Sequence, residues 1–194
     1  AAKRQISDLQ KYSGPRSTYV FDETEASRVC KFIELLTHTK GELAGTRIKL
    51  EPWQVFILST AFGWRRRSDG GRRFRRVYIE VPRGNGKSCL SSGVALYCLV
   101  ADREPGAEVY SFATTRDQAK IVFGDAKVMA EHNAPLRSQF GLQVLANALY
   151  VPTTNSTFQA KSAEGSTLDG LNTHLAVIDE LHAHKTRAVY DVVE

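Results

Sequence analysis

The stretch Pro82-Arg83-Gly84-Asn85-Gly86-Lys87-Ser88 sets two glycines, a lysine and a hydroxyl close together. Glycine lets a chain turn tightly enough for successive backbone N–H groups to converge on anionic oxygens. A helix starting at Lys87 would add the positive end of its dipole. Lys87 would then reach the β- and γ-phosphates of a nucleotide, and the Ser88 hydroxyl would bind Mg²⁺. Such loops usually carry a further glycine five positions before Gly86, where this sequence has Val81. Alone, the segment also reads as a glycine-rich turn with a solvated lysine.

A second feature makes the nucleotide reading the stronger one. Leu175-Ala176-Val177-Ile178 is an unbroken apolar run that ends in Asp179-Glu180. Two carboxylates at the end of a buried strand are costly unless something there requires charge. A phosphate site supplies the requirement: Asp179 would share Mg²⁺ with Ser88, and Glu180 would polarise the water attacking the γ-phosphate. Lys87 and Asp179 are 92 positions apart, which leaves room for an intervening strand. Together the two motifs predict an ATP-hydrolysing site, with Lys87, Arg83 and Glu180 in catalytic roles. Arg83 lies within the loop and could donate bidentate hydrogen bonds to a phosphate or a carboxylate. Upstream, the Gln54 amide could both donate to and accept from an adenine edge, with Trp53 as an apolar wall. The same pair also reads as the core and surface positions of an amphipathic helix.

The elements that would position these residues follow from periodicity. Ala26, Val29, Cys30, Ile33 and Leu36 mark a helix over 23–38, and Val55, Leu58 and Phe62 mark another over 52–64, with Pro52 in its first turn. Val77–Val81 reads as the strand before the loop. Leu90, Val94, Tyr97, Cys98 and Ala101 read as the helix after it. Val109–Ala113 is a strand, and Thr114-Thr115 would cap a helix opening at Arg116. Short β-type runs follow near 142–151 and 157–161, and Leu175–Ile178 is the last strand. Its continuous apolarity is that of a strand covered on both faces, as in a parallel sheet. Strands alternating with helices predict an α/β fold, a P-loop NTPase core over 76–194, with a helical adenine-side segment and a basic hairpin over 1–75. Residues before about Tyr19 read as a polar arm.

Composition excludes whole function classes. With 42% hydrophobic and 24% charged residues over 194 positions, the chain is an ordinary globular one. No run of about 18 apolar residues is present, so no membrane span is expected. No apolar signal core follows the first residues, so a cytosolic setting is expected, with Cys30, Cys89 and Cys98 as reduced thiols. The net charge is +5, yet residues 65–76 hold seven arginines and one aspartate, or +6, which leaves −1 for the remainder. The basicity is one local patch, and Asp69-Gly70-Gly71 suits the turn of a hairpin that carries it. Such a patch fits a polyanionic partner through sequence-blind phosphate attraction, or else a solvated hairpin that neutralises local acids.

With these motifs together, the chain resembles the N-terminal ATPase domain of the large terminase subunit of tailed double-stranded DNA bacteriophages. The resembling residues are Trp53-Gln54, the loop 82–88, Ala113–Ala119, Leu168-Asp169-Gly170 and Val177–His184. The resemblance implies a motor that uses ATP and Mg²⁺ to thread double-stranded DNA into a procapsid. It works as a homo-oligomeric ring docked on the portal protein in the host cytoplasm, together with a small terminase subunit. It assigns Gln54 to adenine, Arg83, Gly84, Asn85, Gly86, Lys87 and Ser88 to the phosphates and Mg²⁺, Asp179 to the metal and Glu180 to catalysis. It implies an arginine supplied by the neighbouring subunit, for which Arg116, Arg137 and Arg187 are candidates. It also implies a nuclease domain, which the present residues do not contain, so a truncated chain is expected; because a neighbour's arginine completes each site, a nucleotide-binding fragment without autonomous turnover stays an alternative to the ATP hydrolase. The basic run would face DNA or the portal. His182 and His184, with no second pair nearby, read as a polar cap on the carboxylate loop rather than as zinc ligands.

Two other readings stay open at this level. A superfamily 2 helicase also pairs an upstream glutamine with a phosphate loop and Asp-Glu, though the Pro-Arg-Gly-Asn-Gly-Lys-Ser loop speaks against it. A nucleotide-binding or scaffold module without turnover is the other, against which stand the intact Lys87, Ser88, Asp179 and Glu180.

Overall fold

The computed structural model describes residues 1–113, 116–162, 171–183 and 187–193. The described chain divides into two compact units, Ala1–Leu35 with Ile48–Pro82, and Leu36–Arg47 with Arg83–Glu194.

In the first unit, helix α2 (Glu23–Glu34) begins where the Asp22 carboxylate accepts the N–H groups of Thr24 and Glu25 at 2.9 and 3.0 Å. Ala26, Val29, Phe32 and Ile33 form its buried stripe, and it packs on α3 (Pro52–Gly63), which buries Leu58, Ala61 and Phe62. Strands β1 (Tyr19–Phe21) and β2 (Trp64–Arg66) pair antiparallel. At the end of α3 only glycine fits: a Cβ on Gly63 would lie 2.7 Å from Phe21 Cε2 and 2.9 Å from Ala26 Cβ. The turn at Asp69-Gly70-Gly71 closes a short hairpin, with Arg65 bridging Arg72 and the Arg66 N–H reaching Gly71 O at 2.8 Å.

The N-terminal residues are a helix, α1 (Ala2–Lys11), not an arm. Its apolar row, Ala2, Ile6 and Leu9, is left exposed, and long-range polar contacts hold the helix instead. Gln5 Oε1 accepts the indole N–H of buried Trp64 at 2.7 Å, and Asp8 pairs with Arg73 at 3.0 Å. The Arg73 guanidinium also lies 4.6–5.1 Å from the ring centres of Tyr12, Tyr19, Trp64 and Phe74. Arginine is suited to such a site because its weakly hydrated planar cation stacks on aromatic faces.

The basic run is therefore largely consumed inside the unit. Arg65 pairs with Glu25 and Arg66 with Asp69, each at 3.0 Å, and Arg72 stacks over Phe62. Asp69 is held below the ordinary aspartate range, by the Gly71 N–H first and by Arg66 second. Arg67, Arg75 and Arg76 are exposed to solvent. Val77–Val81, expected as a strand, belongs to neither sheet and has no regular structure. Val77 is 52% and Tyr78 73% exposed. Their β-forming side chains favour a strand only when a ladder partner and a covered face exist, and no ladder among the described residues includes them.

The second unit is built on a five-stranded sheet ordered β4 (Gln143–Val144), β5 (Leu149–Val151), β6 (Ser156–Ser162), β3 (Glu108–Ala113), β7 (Thr173–Ile178). β3 pairs in parallel with β6 and with β7, while β4, β5 and β6 form an antiparallel meander. The fold is thus a mixed sheet with a parallel core flanked by helices, the P-loop NTPase arrangement expected. β7 is half-buried throughout rather than fully covered on both faces, and among the described residues it is the last strand of the sheet. Helix α4 (Lys87–Val100) packs on β3, β6 and β7, and α5 (Arg116–Glu131) packs on α4, β3 and β6. Ala119, Val122, Phe123, Ala126, Met129 and Ala130 give α5 a single buried face. Helix α6 (Ala134–Phe140) follows, and α7 (Ala188–Val193) comes after the last strand. None of the described helices is long and apolar enough to cross a membrane.

The Arg73 cage generates a stability prediction. Side chains of Arg73 and Asp8 are only 15% and 11% exposed, so removing the cation leaves a largely buried carboxylate. Arg73→Gln should lower the unfolding free energy by about 2–4 kcal/mol. Urea denaturation checks this, and a midpoint equal to that of the wild type would mean that the cage holds nothing together.

Candidate functional site

The loop before α4 is shaped by its glycines. Gly84 and Gly86 have φ of 81° and 70°, the left-handed region in which a side chain is strained. Gly86 is also the N-cap of the 14-residue helix α4, and a glycine has no side chain with which to cap it. Helix starts of this kind direct backbone N–H groups and the positive end of the dipole at the loop, which is what attracts anions. Lys87 and Ser88 are half-buried, while Arg83, Gly84, Asn85 and Gly86 are exposed. Ser92 fixes the first turn from behind. Its buried hydroxyl is 2.7 Å from Ser88 O and 2.8 Å from Val122 O, tying α4 to α5. Sequence reasoning did not single out Ser92, because its role appears only once α4 and α5 touch.

The acidic pair sits at the C-terminal end of β7. The Asp179 N–H donates to Phe112 O at 3.0 Å, carrying the β3–β7 ladder one residue further. Asp179 Oδ1 accepts the Glu180 N–H at 2.9 Å, and Glu180 then adopts φ of 48°. A left-handed glutamate costs about 1–2 kcal/mol relative to an ordinary backbone, and such outliers concentrate at functional sites. A single 3₁₀ turn, Leu181–Ala183, follows and points the backbone away from the strand. Asp179 is half-buried and Glu180 exposed.

The packing of α4 relates the two motifs. Asp102, just past the C-terminal end of α4, contacts His174 near the start of β7 at 2.7 Å. The C-terminal end of α4 therefore lies at the start of β7, and Asp179 and Glu180 follow that strand's other end. Ligands of open α/β sheets bind outside the carboxyl ends of the strands. Between them the two segments offer a hydroxyl, a carboxylate, backbone N–H groups and a lysine, which match the oxygen preference of Mg²⁺ and the charge of a triphosphate.

The remaining predicted residues are dispersed. Trp53 and Gln54 are half-buried in the first turn of α3, in the first unit, where Gln54 Oε1 accepts the Glu51 N–H at 2.9 Å. Part of the glutamine's hydrogen-bonding capacity thus serves its own helix start. Arg137 is exposed on α6, and Arg187 pairs with Asp191 at 3.5 Å and stacks on Tyr190. Thr114-Thr115, Leu168-Asp169-Gly170 and His184 lie outside the described residues, as do the side chains of Arg116 and His182.

Beside the loop, Cys89 is the third residue of α4. Its Sγ lies 4.0 Å from His38 Nδ1 in the 36–47 segment, which is pinned to α5 by Lys40 and Thr39 on Asp125 at 2.8 and 3.2 Å. Burial first and the Asp125 charge second push the Cys89 thiol from 9.0 up to about 11.

Comparison with known proteins bears on the whole arrangement. Residues 52–194 match the family model for the ATPase domain of the terminase large subunit. The large terminase subunit of Enterobacteria phage HK97 is 30% identical over 159 residues, covering 81% of this chain and 30% of that protein. The crystal structure of the HK97 large terminase superposes with a TM-score of 0.65 at 28% identity, covering 79% of this chain and 30% of that one. The present chain spans about a third of the length of these relatives.

The Cys89 environment predicts an unreactive thiol despite its position at the loop. Alkylation by iodoacetamide at pH 8 should be roughly 100-fold slower than for an unstructured cysteine and accelerate toward pH 11. The folded chain keeps a proton that the unfolded chain releases above about 9, so this contribution to stability is intact below pH 9 and fades toward pH 11. A rate at pH 8 matching the free thiol would contradict the burial of Cys89.

Proposed function

Because the chain belongs to the family of terminase large subunit ATPase domains, we propose that its loop 83–88 and its acids 179–180 bind and hydrolyse MgATP to drive movement of double-stranded DNA. The observation that carries this reading is the α4 start: a left-handed Gly86 at the N-cap, followed by Lys87 and Ser88. In this reading, backbone N–H groups of the loop and Lys87 bind the β- and γ-phosphates. Ser88 and Asp179 hold Mg²⁺, which when bound neutralises charge on the phosphate oxygens. Glu180 orients the attacking water and takes its proton, and the exposed Arg83 is placed to donate to the γ-phosphate. Gln54 and Trp53 serve adenine, the glutamine through donors and acceptors that its helix start leaves over.

The biological setting follows the family. We assign the first unit to the adenine side and the second to the ATPase core of a motor. It forms a homo-oligomeric ring on the portal of a procapsid in the host cytoplasm, fed by a small terminase subunit. A ring neighbour would complete each site with an arginine, Arg116, Arg137 or Arg187. DNA contact would be sequence-independent and made through phosphates. Since Arg65, Arg66 and Arg73 are paired internally, Arg67 and Arg75 are the members of the basic run best placed for it.

Two sets of variants test this. Lys87→Ala should abolish ATP binding in calorimetry, whereas Glu180→Gln, made in the full-length assembled protein, should bind ATP normally and lose turnover by roughly 10²–10⁴-fold. Unchanged ATP affinity in Lys87→Ala would remove the phosphate-loop assignment. For DNA, the double variant Arg67→Ser, Arg75→Ser should reduce the slope of log affinity against log salt by about 2, near 0.9 for each phosphate contact. A slope indifferent to both changes would place the DNA path elsewhere.

A further inference from the structure

At the end of the second unit opposite the phosphate loop, three unlike donors meet. Cys98 near the C-terminal end of α4, Asp102 just beyond it and His174 on β7 have ligand atoms all within 4.8 Å of one another. His174 Nε2 is 2.7 Å from Asp102 Oδ2. The His174 and Asp102 side chains are 14% and 4% exposed, and Cys98 is 1% exposed. Among the described residues this is the one group of three such side chains with that spacing.

The backbone is adapted to bring them together. Glu108 of β3 faces Thr173, but Val109 faces Leu175, so His174 is the extra residue of a β-bulge in the parallel ladder. A bulge re-aims a side chain out of the regular alternation. Here the re-aimed side chain is the imidazole that meets Asp102 and Cys98. An ion pair alone would need no thiol, and a buried cysteine alone would need no bulge.

We propose that Cys98, Asp102 and His174 form a binding site for a zinc-type divalent ion. Thiolate, imidazole and carboxylate are together the donors that a borderline-soft metal selects, while Mg²⁺ prefers oxygen alone. Three protein ligands leave the fourth tetrahedral position to water, on the side where His174 reaches solvent. With metal–ligand distances of about 2.0–2.3 Å, neighbouring donors sit roughly 3.3–3.8 Å apart. The present cluster closes on an ion by shifts of about 1 Å. Binding requires the thiolate and a neutral imidazole, so the thiol proton leaves to solvent as the metal–sulfur bond forms. The ion would join the end of the helix that begins at the phosphate loop to the start of the strand that ends in Asp179-Glu180. It is a structural staple on the axis of the nucleotide site and takes no part in hydrolysis.

The test uses chelator-treated protein carrying Cys30→Ser and Cys89→Ser, so that Cys98 is the one thiol left. Titration with Co²⁺ should give a saturable thiolate-to-metal charge-transfer band and tetrahedral visible bands at one equivalent, displaced by Zn²⁺. Zn²⁺ should also raise the thermal midpoint. Cys98→Ala should abolish the charge-transfer band. Asp102→Asn, which keeps the packing volume, and His174→Asn should each weaken Co²⁺ at least tenfold while circular dichroism stays native. Absence of a saturable band, or a band that survives Cys98→Ala, overturns the proposal and leaves His174–Asp102 as a plain ion pair.

Discussion

Strand β3 takes a parallel neighbour on both edges, β6 on one side and β7 on the other, and the chemistry of the second unit hangs on that double pairing. Parallel strands cannot be joined by a tight turn, so the chain must cross over the sheet between them. The helix preceding β3 is laid against the same sheet, and its C-terminal end meets the start of β7 where Asp102 contacts His174. The reading proposed for loop 83–88 and acids 179–180 needs both at the carboxyl ends of these strands. The side chains that maintain this are not the chemical ones. Ser92 bridges α4 to α5, and Ser111 Oγ bonds to Ala119 O at 2.9 Å, anchoring α5 on β3.

What could be read from the sequence was whatever depends on neighbours along the chain. The loop 83–88 announces itself because glycine, lysine and serine act within six residues, and β3 and β7 do so because their apolar runs are short and bounded. Val77–Val81 shows the opposite case. Its composition equals that of a strand, but a strand is completed by its partners, and no described ladder includes it. Helix α1 was invisible for the complementary reason: a polar segment held by Gln5 on Trp64 and Asp8 on Arg73, contacts that span 59 and 65 positions. The Cys98–Asp102–His174 cluster likewise joins residues more than 70 positions apart across a bulge that no periodicity signals.

The arginine run teaches a related lesson about charge. Summed along the sequence, residues 65–76 form a patch of +6. Summed in space, Glu25 and Asp8 cancel two further charges beyond the Asp69 already counted, and four aromatic rings surround Arg73. Only Asp69 was close enough in sequence to be counted. Local net charge is therefore an upper bound on the field available to a partner, and the three exposed arginines, 67, 75 and 76, are a better guide to it than the total.

The edge position of β7 has a practical side. Its outer row of backbone N–H and C=O groups is not paired with any strand among the described residues, and its sequence, Thr173–Ile178, carries no proline and one titratable side chain. Natural edges are normally blunted by charge, proline or a covering element. That row of donors and acceptors is what a further parallel strand would pair with, and such a strand would enclose β7 on its second edge and stiffen the segment that leads into Asp179 and Glu180.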